Sequence, residues 1–399
     1  MTSLRPLAIA AGRAAVAVLP TLRQALDGEF AVLPYAAGGH PPPLPGAARR
    51  VGAAAGEHLP DDGTALVVGT SGSTGTPKLA MLPGTALAAS ATATHERLGG
   101  PGGWLLAMPP HHIAGVQVLL RCLAAGTEPG FVDLSEGFTA AAFVEAAAGF
   151  GGPRQYTSLV PTQLLRLLED AGAATALAGF DAVLVGGAAS PPALLARARA
   201  AGIRAVTTYG MSETCGGCVY DGVPLSCTEV RVDDDGRIHL GGATLATGYL
   251  GRPDLTAEAF GTGPDGQRWF RTDDLGHRDG GRWHVDGRLD DLIVTGGLKV
   301  APRLVEDALT ALPGVIEAVV VGTPDDQWGQ AVSAAVVLRE DPAGPVRTAP
   351  TLDELRELLR GILPTHALPR RLLVLAALPL RGPGKPDRAA VAARFADGP

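Results

Sequence analysis

The sequence predicts an α/β protein: a large N-terminal domain of doubly wound sheets with a β-rich subdomain, followed by a small α+β domain. Three observations lead there. Up to about residue 225, short apolar runs alternate with helical segments, as strands and helices do in a largely parallel sheet covered on both faces. Beyond 225 the texture changes to alternating residues and Asp-Gly turns, and from 303 helices and strands mix again. At 399 residues, against a prior of ~150 per domain, two or three folding units are expected.

In order, ALVVG at 65–69 reads as a strand that runs into a Gly/Ser/Thr loop, with a helix from Pro83 to Arg97 after it, giving strand, loop, helix. GWLLAMP is a strand before a helix near 113–125, RQYTSLVP one before TQLLRLLEDAG, and DAVLVGG one before PPALLARARAAG. EVRVDDDGRIHLGG and GGRWHVDGR read as hairpins. After them come a helix (RLVEDALTAL), two strands (IEAVVVGTP, AVSAAVVL), a helix (LDELRELLRGIL) and a strand (RRLLVLAAL). The boundary falls near Gly287–Asp291, giving domains 1–287 and 288–399, and the Pro-rich piece at 40–46 is a loop.

Composition narrows the function classes. The net charge is −7 with both signs scattered, so no basic stripe for nucleic-acid phosphates exists. Hydrophobic residues reach 46%, yet no uninterrupted apolar stretch of ~20 residues occurs, so membrane insertion is not expected. Arg5 and Arg13 break the apolar opening, which points to a cytoplasmic protein. Four cysteines suit a reducing compartment, and Cys215-Gly-Gly-Cys218, with no second such pair, reads as small residues beside a turn rather than a metal or redox site.

Thr70-Ser71-Gly72-Ser73-Thr74-Gly75-Thr76-Pro77-Lys78 packs five hydroxyls, two glycines and a lysine directly after a strand. Glycines let backbone N–H groups approach an anion, hydroxyls add donors, and the lysine adds charge. The spacing is not that of a Walker A loop. The string resembles the phosphate loop of the adenylate-forming superfamily of acyl-CoA synthetases, adenylation domains and luciferases.

Further strings follow in that superfamily's order. Tyr209-Gly210-Met211-Ser212-Glu213 resembles its YG-x-T-E motif, with Ser for Thr. The resemblance implies that Tyr209 and Gly210 meet adenine, Ser212 holds the α-phosphate, and Glu213 carries Mg²⁺ on the phosphates. Gly187 and Ala188 resemble the segment lining the adenine pocket. Arg271-Thr272-Asp273-Asp274-Leu275 resembles R-T-G-D-L, so Asp274 takes the ribose hydroxyls, while Asp273 replaces the usual glycine. Gly287-Arg288-Leu289-Asp290 resembles the interdomain hinge: Arg288 reaches ribose or phosphate, and Asp290 is the pivot on which the small domain moves. Gly296, Gly297 and Lys299 resemble the wall of the CoA pantetheine tunnel. Lys385, in Gly382-Pro383-Gly384-Lys385, resembles the catalytic lysine of the C-terminal motif.

The resemblance spans about Leu66 to Arg388 and implies ATP, Mg²⁺ and CoA acting on a small-molecule acid, through an acyl-adenylate and then a thioester. Thr70 starts the phosphate loop early, and this abbreviated start resembles the short actinobacterial o-succinylbenzoate–CoA ligases of menaquinone biosynthesis. His111-His112-Ile113-Ala114-Gly115 and Ser158-Leu159-Val160-Pro161-Thr162-Gln163-Leu164 support that narrower likeness, as does Gly187-Ala188-Ala189-Ser190 taken with the Tyr209–Glu213 motif. By it, His112 lines the acid pocket. Arg121, about two helical turns on, is the candidate cation for the carboxylate that does not react, with Thr162 and Ser190 as donors; a surface arginine is the alternative. Three other readings stay open: a ligase for another aryl or fatty acid, a carrier-protein-loading adenylation enzyme, and a non-catalytic homologue. A homodimer is left open too.

Overall fold

A computed structural model of the chain describes residues 2–44, 57–59, 62–70, 78–339, 350–380 and 385–396. The phosphate-loop positions Ser71, Gly72, Ser73, Thr74 and Gly75 lie outside the described residues. The chain divides into two compact units, one of residues 1–187, 197–233 and 239–272, the other of 188–196, 234–238 and 273–399.

The first unit holds two sheets. In one, the strand order among the described residues is Val223–Pro224, Gly216–Tyr220, Ala205–Met211, Ala182–Val185, Gln155–Leu159, Gly103–Leu106 and Gly130–Phe131. The run from Ala205–Met211 to Gly130–Phe131 is parallel throughout. The expected strand-helix alternation is present: the helices Ile113–Ala125, Pro161–Leu168 and Pro192–Ala200 each follow one of these strands. Trp104, Leu105, Val183 and Leu184 are buried, as continuous apolar runs in a parallel sheet require.

The other sheet was only partly foreseen. Its order is Gly248–Tyr249, Lys78–Pro83, Thr64–Thr70, Ala31–Ala36, Thr2–Ile9 and Glu57–Leu59. Thr2–Ile9 lies parallel to Ala31–Ala36, with the helix Leu19–Leu26 between them in sequence, so the opening of the chain forms a strand-helix-strand unit. Lys78–Pro83 corrects the strand-loop-helix reading. It pairs antiparallel with Thr64–Thr70, with Thr70 opposite Lys78, so residues 71–77 connect two neighbouring strands rather than a strand and a helix. The helix Gly84–Arg97 starts only after it. Among the described residues, no helix is long and apolar enough to cross a membrane.

In the second unit, residues from Asp274 to Asp279 pair with Arg282–Arg288, and Gly280 and Gly281, both at positive φ, make the turn. A further sheet runs Leu298–Val300, Ile293–Thr295, Gly329–Leu338, Val315–Asp325, with Arg371–Leu375 parallel to Gly329–Leu338. Alternate residues of its central strands face opposite sides. Val320, Val332 and Val336 pack with Val305, Leu309, Leu355 and Leu359 of the helices Pro302–Thr310 and Leu352–Leu359. Val319, Val321 and Val337 pack with Val391 of Arg388–Ala396 on the other side. Each such valine contributes roughly 1.5–3 kcal/mol by leaving water.

Candidate active site

In the first unit, the strand Ala205–Met211 delivers Tyr209 and Gly210 to a short 3-10 turn, Ser212–Thr214. Close packing dictates the glycine: a Cβ at Gly210 would lie 2.1 Å from the Gly216 carbonyl oxygen. The turn is stapled by Thr214, whose Oγ1 accepts the Met211 N–H at 3.0 Å and donates to the Gly216 carbonyl at 2.8 Å. Cys215 closes it in the left-handed region at φ 55°, with its carbonyl accepting from buried Gln117 at 2.7 Å. Ser212 is half-buried and Glu213 buried at 7% exposure.

A carboxylate so buried must be partnered. Tyr249 Oη donates to Glu213 Oε1 at 2.8 Å, and the Ala246 N–H binds the Glu213 backbone carbonyl at 2.8 Å. Tyr249 sits opposite Ala80 on the edge strand Gly248–Tyr249, and Lys78 Nζ lies 5.3 Å from its ring centroid. The structure thus brings Lys78 and Glu213, 135 positions apart in sequence, to the same tyrosine. Arg268 braces this segment by donating to the Ala246 and Thr247 carbonyls.

The predicted acid-pocket residues of this unit lie on different elements. His112 is exposed at the N-cap of Ile113–Ala125, with its ring 4.3 Å from that of His111. Gly115 permits the tight entry, since a Cβ there would meet the Pro109 carbonyl oxygen at 2.2 Å. Thr162 is half-buried in the first turn of Pro161–Leu168, and the neighbouring Gln163 anchors the helix by donating to the Ala107 carbonyl at 2.8 Å. Gly187, at φ 80°, ends the strand side of the same unit.

Arg121 requires a correction. It is 3% exposed, with its guanidinium 4.7 Å from the Trp104 ring centroid and Nη2 donating to Tyr220 Oη at 3.3 Å. A cation that receives a carboxylate must be open to it in the empty site, and this one is enclosed by the core. The surface alternative fails equally. Nine residues after His112 is about two and a half turns, which carries the side chain to the opposite face of the helix. Beside it, Trp104 Nε1 donates to His95 Nε2 at 3.1 Å; burial, and then the Arg121 charge, hold the His95 imidazole down to about 4.

Cys122, Cys215 and Cys218 are buried free thiols. Burial pushes Cys122 up to about 11, Cys218 up to about 12 and Cys215 well above its ordinary range. Inert structural thiols are the expected consequence.

In the second unit, Asp274 and Arg288 stand opposite each other across their hairpin, with Arg288 Nη1 3.7 Å from Asp274 Oδ1. Arg288 also grips Asp290, donating from Nε at 2.8 Å and Nη2 at 3.1 Å. That hydrogen bonding, together with nearby Asp274 and Asp273, raises the guanidinium above its ordinary range. Asp273, the departure from the superfamily's glycine, adds an ion pair to Arg237 at 3.4 Å. Gly296 and Gly297, at φ 57° and 78°, form the two-residue turn before Lys299, which is exposed. Gly296 has no room for a side chain, since a Cβ would meet the Trp328 ring at 2.7 Å. Ala188 and Ser190 are half-buried in the stretch before Pro192–Ala200, and Lys385 is exposed.

Residues 15–250 match the AMP-binding enzyme family, and residues 304–385 match the AMP-binding enzyme C-terminal domain. The chain belongs to the AMP-binding enzyme family. It is 48% identical, over 98% of its length and 99% of the relative's, to a Mycobacterium tuberculosis protein named probable 2-succinylbenzoate–CoA ligase. A solved Bacillus subtilis o-succinylbenzoate CoA synthetase, in complex with the acyl-adenylate intermediate OSB-AMP, is similar at 27% identity and a TM-score of 0.68, covering 83% of this chain and 69% of that one. The same B. subtilis enzyme with ATP and magnesium ion gives 27% and 0.66, covering 82% and 70%.

Within this AMP-binding enzyme, Glu213 presents a hard carboxylate oxygen of the kind that would suit Mg²⁺. Among the described residues, no group of three or more His, Cys, Asp or Glu is gathered to hold a metal. Tyr249, Thr214 and Gln117 support the site and were not found from sequence. Tyr249 follows a glycine in the string ATGYLGRP, a weak signal by itself.

Proposed function

We propose that this acyl-CoA ligase joins o-succinylbenzoate to CoA, as in menaquinone biosynthesis. The observation that carries the reading is the 48% identity, at nearly full length, to the M. tuberculosis protein. The B. subtilis enzyme with OSB-AMP supports it.

A carboxylate is a poor electrophile because its charge repels nucleophiles and oxide does not leave. In the first half-reaction the acid oxygen attacks the α-phosphorus of ATP, forming the acyl-adenylate and expelling pyrophosphate. Two anions meet, so charge must be neutralised. Lys385, Lys78 and the loop residues Thr70, Ser71, Gly72, Ser73, Thr74 and Gly75 serve that need. Ser212 holds the α-phosphate, and Glu213, oriented by Tyr249, is the Mg²⁺ carboxylate. When bound, the ion supplies further positive charge to the phosphates. Gly187, Ala188, Tyr209 and Gly210 receive adenine, and Asp274 with Arg288 receives ribose. In the second half-reaction the CoA thiol attacks the acyl carbon, AMP leaves, and the thiol proton is released.

Residues 1–287 form the ATP- and acyl-binding domain in this reading, and 288–399 turn about Asp290 between half-reactions. Gly296, Gly297 and Lys299 then line the path of the CoA arm. His112, Thr162 and Ser190 are the acid-binding residues, and Arg121 is not among them. The free thiols fit a cytoplasmic setting.

The test incubates the protein with ATP, Mg²⁺, CoA and either o-succinylbenzoate, benzoate, a medium-chain fatty acid or amino acids, and quantifies AMP and acyl-CoA. Thioester from o-succinylbenzoate alone, with adenylation lost in Lys385→Ala, is expected. Preference for another acid would overturn the substrate while keeping the ligase.

A further inference from the structure

Lys385 lies in the Gly/Pro-rich string Gly382-Pro383-Gly384-Lys385-Pro386, and a lysine that acts on a phosphate must be delivered to one place. The second unit contains a device for this. Three residues after the lysine, Arg388 opens the helix Arg388–Ala396 and turns back into the unit. Its Nη1 donates to Glu306 Oε1 at 2.7 Å and to the Val320 carbonyl at 2.6 Å, and Nη2 donates to Glu306 Oε2 at 3.1 Å. Its third nitrogen, Nε, lies 3.3 Å from Asp291 Oδ2. All three nitrogens of one guanidinium are therefore committed, to a helix, a strand and the residue next to the hinge position Asp290.

Glu306 is itself fixed. It is 9% exposed on Pro302–Thr310, and its Oε1 also accepts the Val320 N–H at 2.9 Å. The short stretch between Lys385 and Arg388 is equally constrained. Leu380 and Pro386 form a bridge, the Asp387 N–H binds the Pro379 carbonyl at 2.8 Å, and Asp387 Oδ1 accepts the Ala390 N–H at 3.0 Å. Three residues span at most about 10 Å, so anchoring Arg388 confines the lysine backbone to a small volume.

We infer that Arg388 is a positioning residue for Lys385: by bridging Glu306 and Asp291 it couples the lysine stretch to the hinge, so that lysine and hinge move as one piece. Bidentate charge-assisted bonds give the geometry that a lysine at position 388 would not reproduce. Asp291 beside Asp290, rather than a single acid, is what lets the hinge segment offer one carboxylate to Arg288 and the other to Arg388. The inference rests on the proposed role of Lys385 in adenylation.

The test separates the two half-reactions of the full-length protein. Adenylation is read by o-succinylbenzoate-dependent exchange of pyrophosphate into ATP, and thiolysis by supplying the preformed acyl-adenylate and CoA. Arg388→Lys and Asp291→Asn are each expected to slow exchange about tenfold or more through kcat, with the KM for ATP and thiolysis within about twofold of wild type. In a Lys385→Ala background the Arg388→Lys change should cost almost nothing further, because both act through one group. Equal losses in exchange and thiolysis, or full additivity with Lys385→Ala, would overturn the inference by showing that Arg388 only holds the unit together. If Lys385→Ala alone leaves exchange intact, the reading of the lysine fails first, and the inference falls with it.

Discussion

Tyr249 Oη lies 2.8 Å from Glu213 Oε1 while the face of the same ring sits under Lys78 Nζ, so one aromatic side chain touches both of these proposed phosphate-site residues in the first unit. A hydrogen bond to a charged acceptor is worth about 1.5–3 kcal/mol. Tyr249→Phe keeps the ring and removes only that bond. We expect roughly a ten- to hundredfold loss in adenylation, an increase in the Mg²⁺ concentration needed for half-maximal rate, and little change in the KM for the acid, all measurable by pyrophosphate exchange across a Mg²⁺ titration. An unaltered Mg²⁺ dependence would remove the tyrosine from the site.

His95 makes stability pH-dependent. Burial lowers its folded value to about 4 from the ordinary 6.5, and the Trp104 donor already occupies Nε2. The unfolded chain therefore binds the extra proton between those values, so stability is complete above about pH 6.5 and falls as pH drops toward 4. The full span corresponds to about 3 kcal/mol. Urea unfolding at a series of pH values should show that slope, and His95→Gln, which keeps an acceptor for the indole, should flatten it.

The three buried cysteines should be silent. With Cys122 and Cys218 pushed up to about 11 and 12, the native protein is expected to resist alkylation at pH 8 at these positions, while half-buried Cys227 reacts first. Mass spectrometry of iodoacetamide-treated protein, native and in denaturant, checks this. Rapid native labelling of Cys215 or Cys218 would reopen the redox reading of that pair.

Arg121→Met offers a control for the acid pocket. Because the guanidinium is enclosed by Trp104 and Tyr220, its loss should leave the KM for o-succinylbenzoate within about twofold of wild type, a change below 1 kcal/mol. A KM increase of tenfold or more, with folding intact by circular dichroism, would return Arg121 to the substrate.

These outcomes follow the line between what local sequence can and cannot disclose. Strings such as Tyr209–Glu213 and Gly287–Asp290 carry the family resemblance within a few residues, so family and fold class were legible from them. The strands Thr2–Ile9 and Ala31–Ala36 were not, because Arg5, Pro6 and Pro34 interrupt the pattern that marks a strand. Lys78–Pro83 was missed for another reason: LAML is a short apolar run that periodicity alone cannot assign. Tyr249 reaches Lys78 and Glu213 only through an edge-strand pairing between segments far apart in the chain, and no local window contains that contact. Arg121 failed through helical phase, since spacing along a helix was taken without its rotation.

The crowding at Gly210 bears on how this lineage can change. A methyl group there would collide with the Gly216 carbonyl oxygen, so mutation at that codon damages the turn bearing Glu213 before any reacting side chain is altered. Replacement at this single backbone position would therefore cost the turn its shape even where every reactive side chain survives.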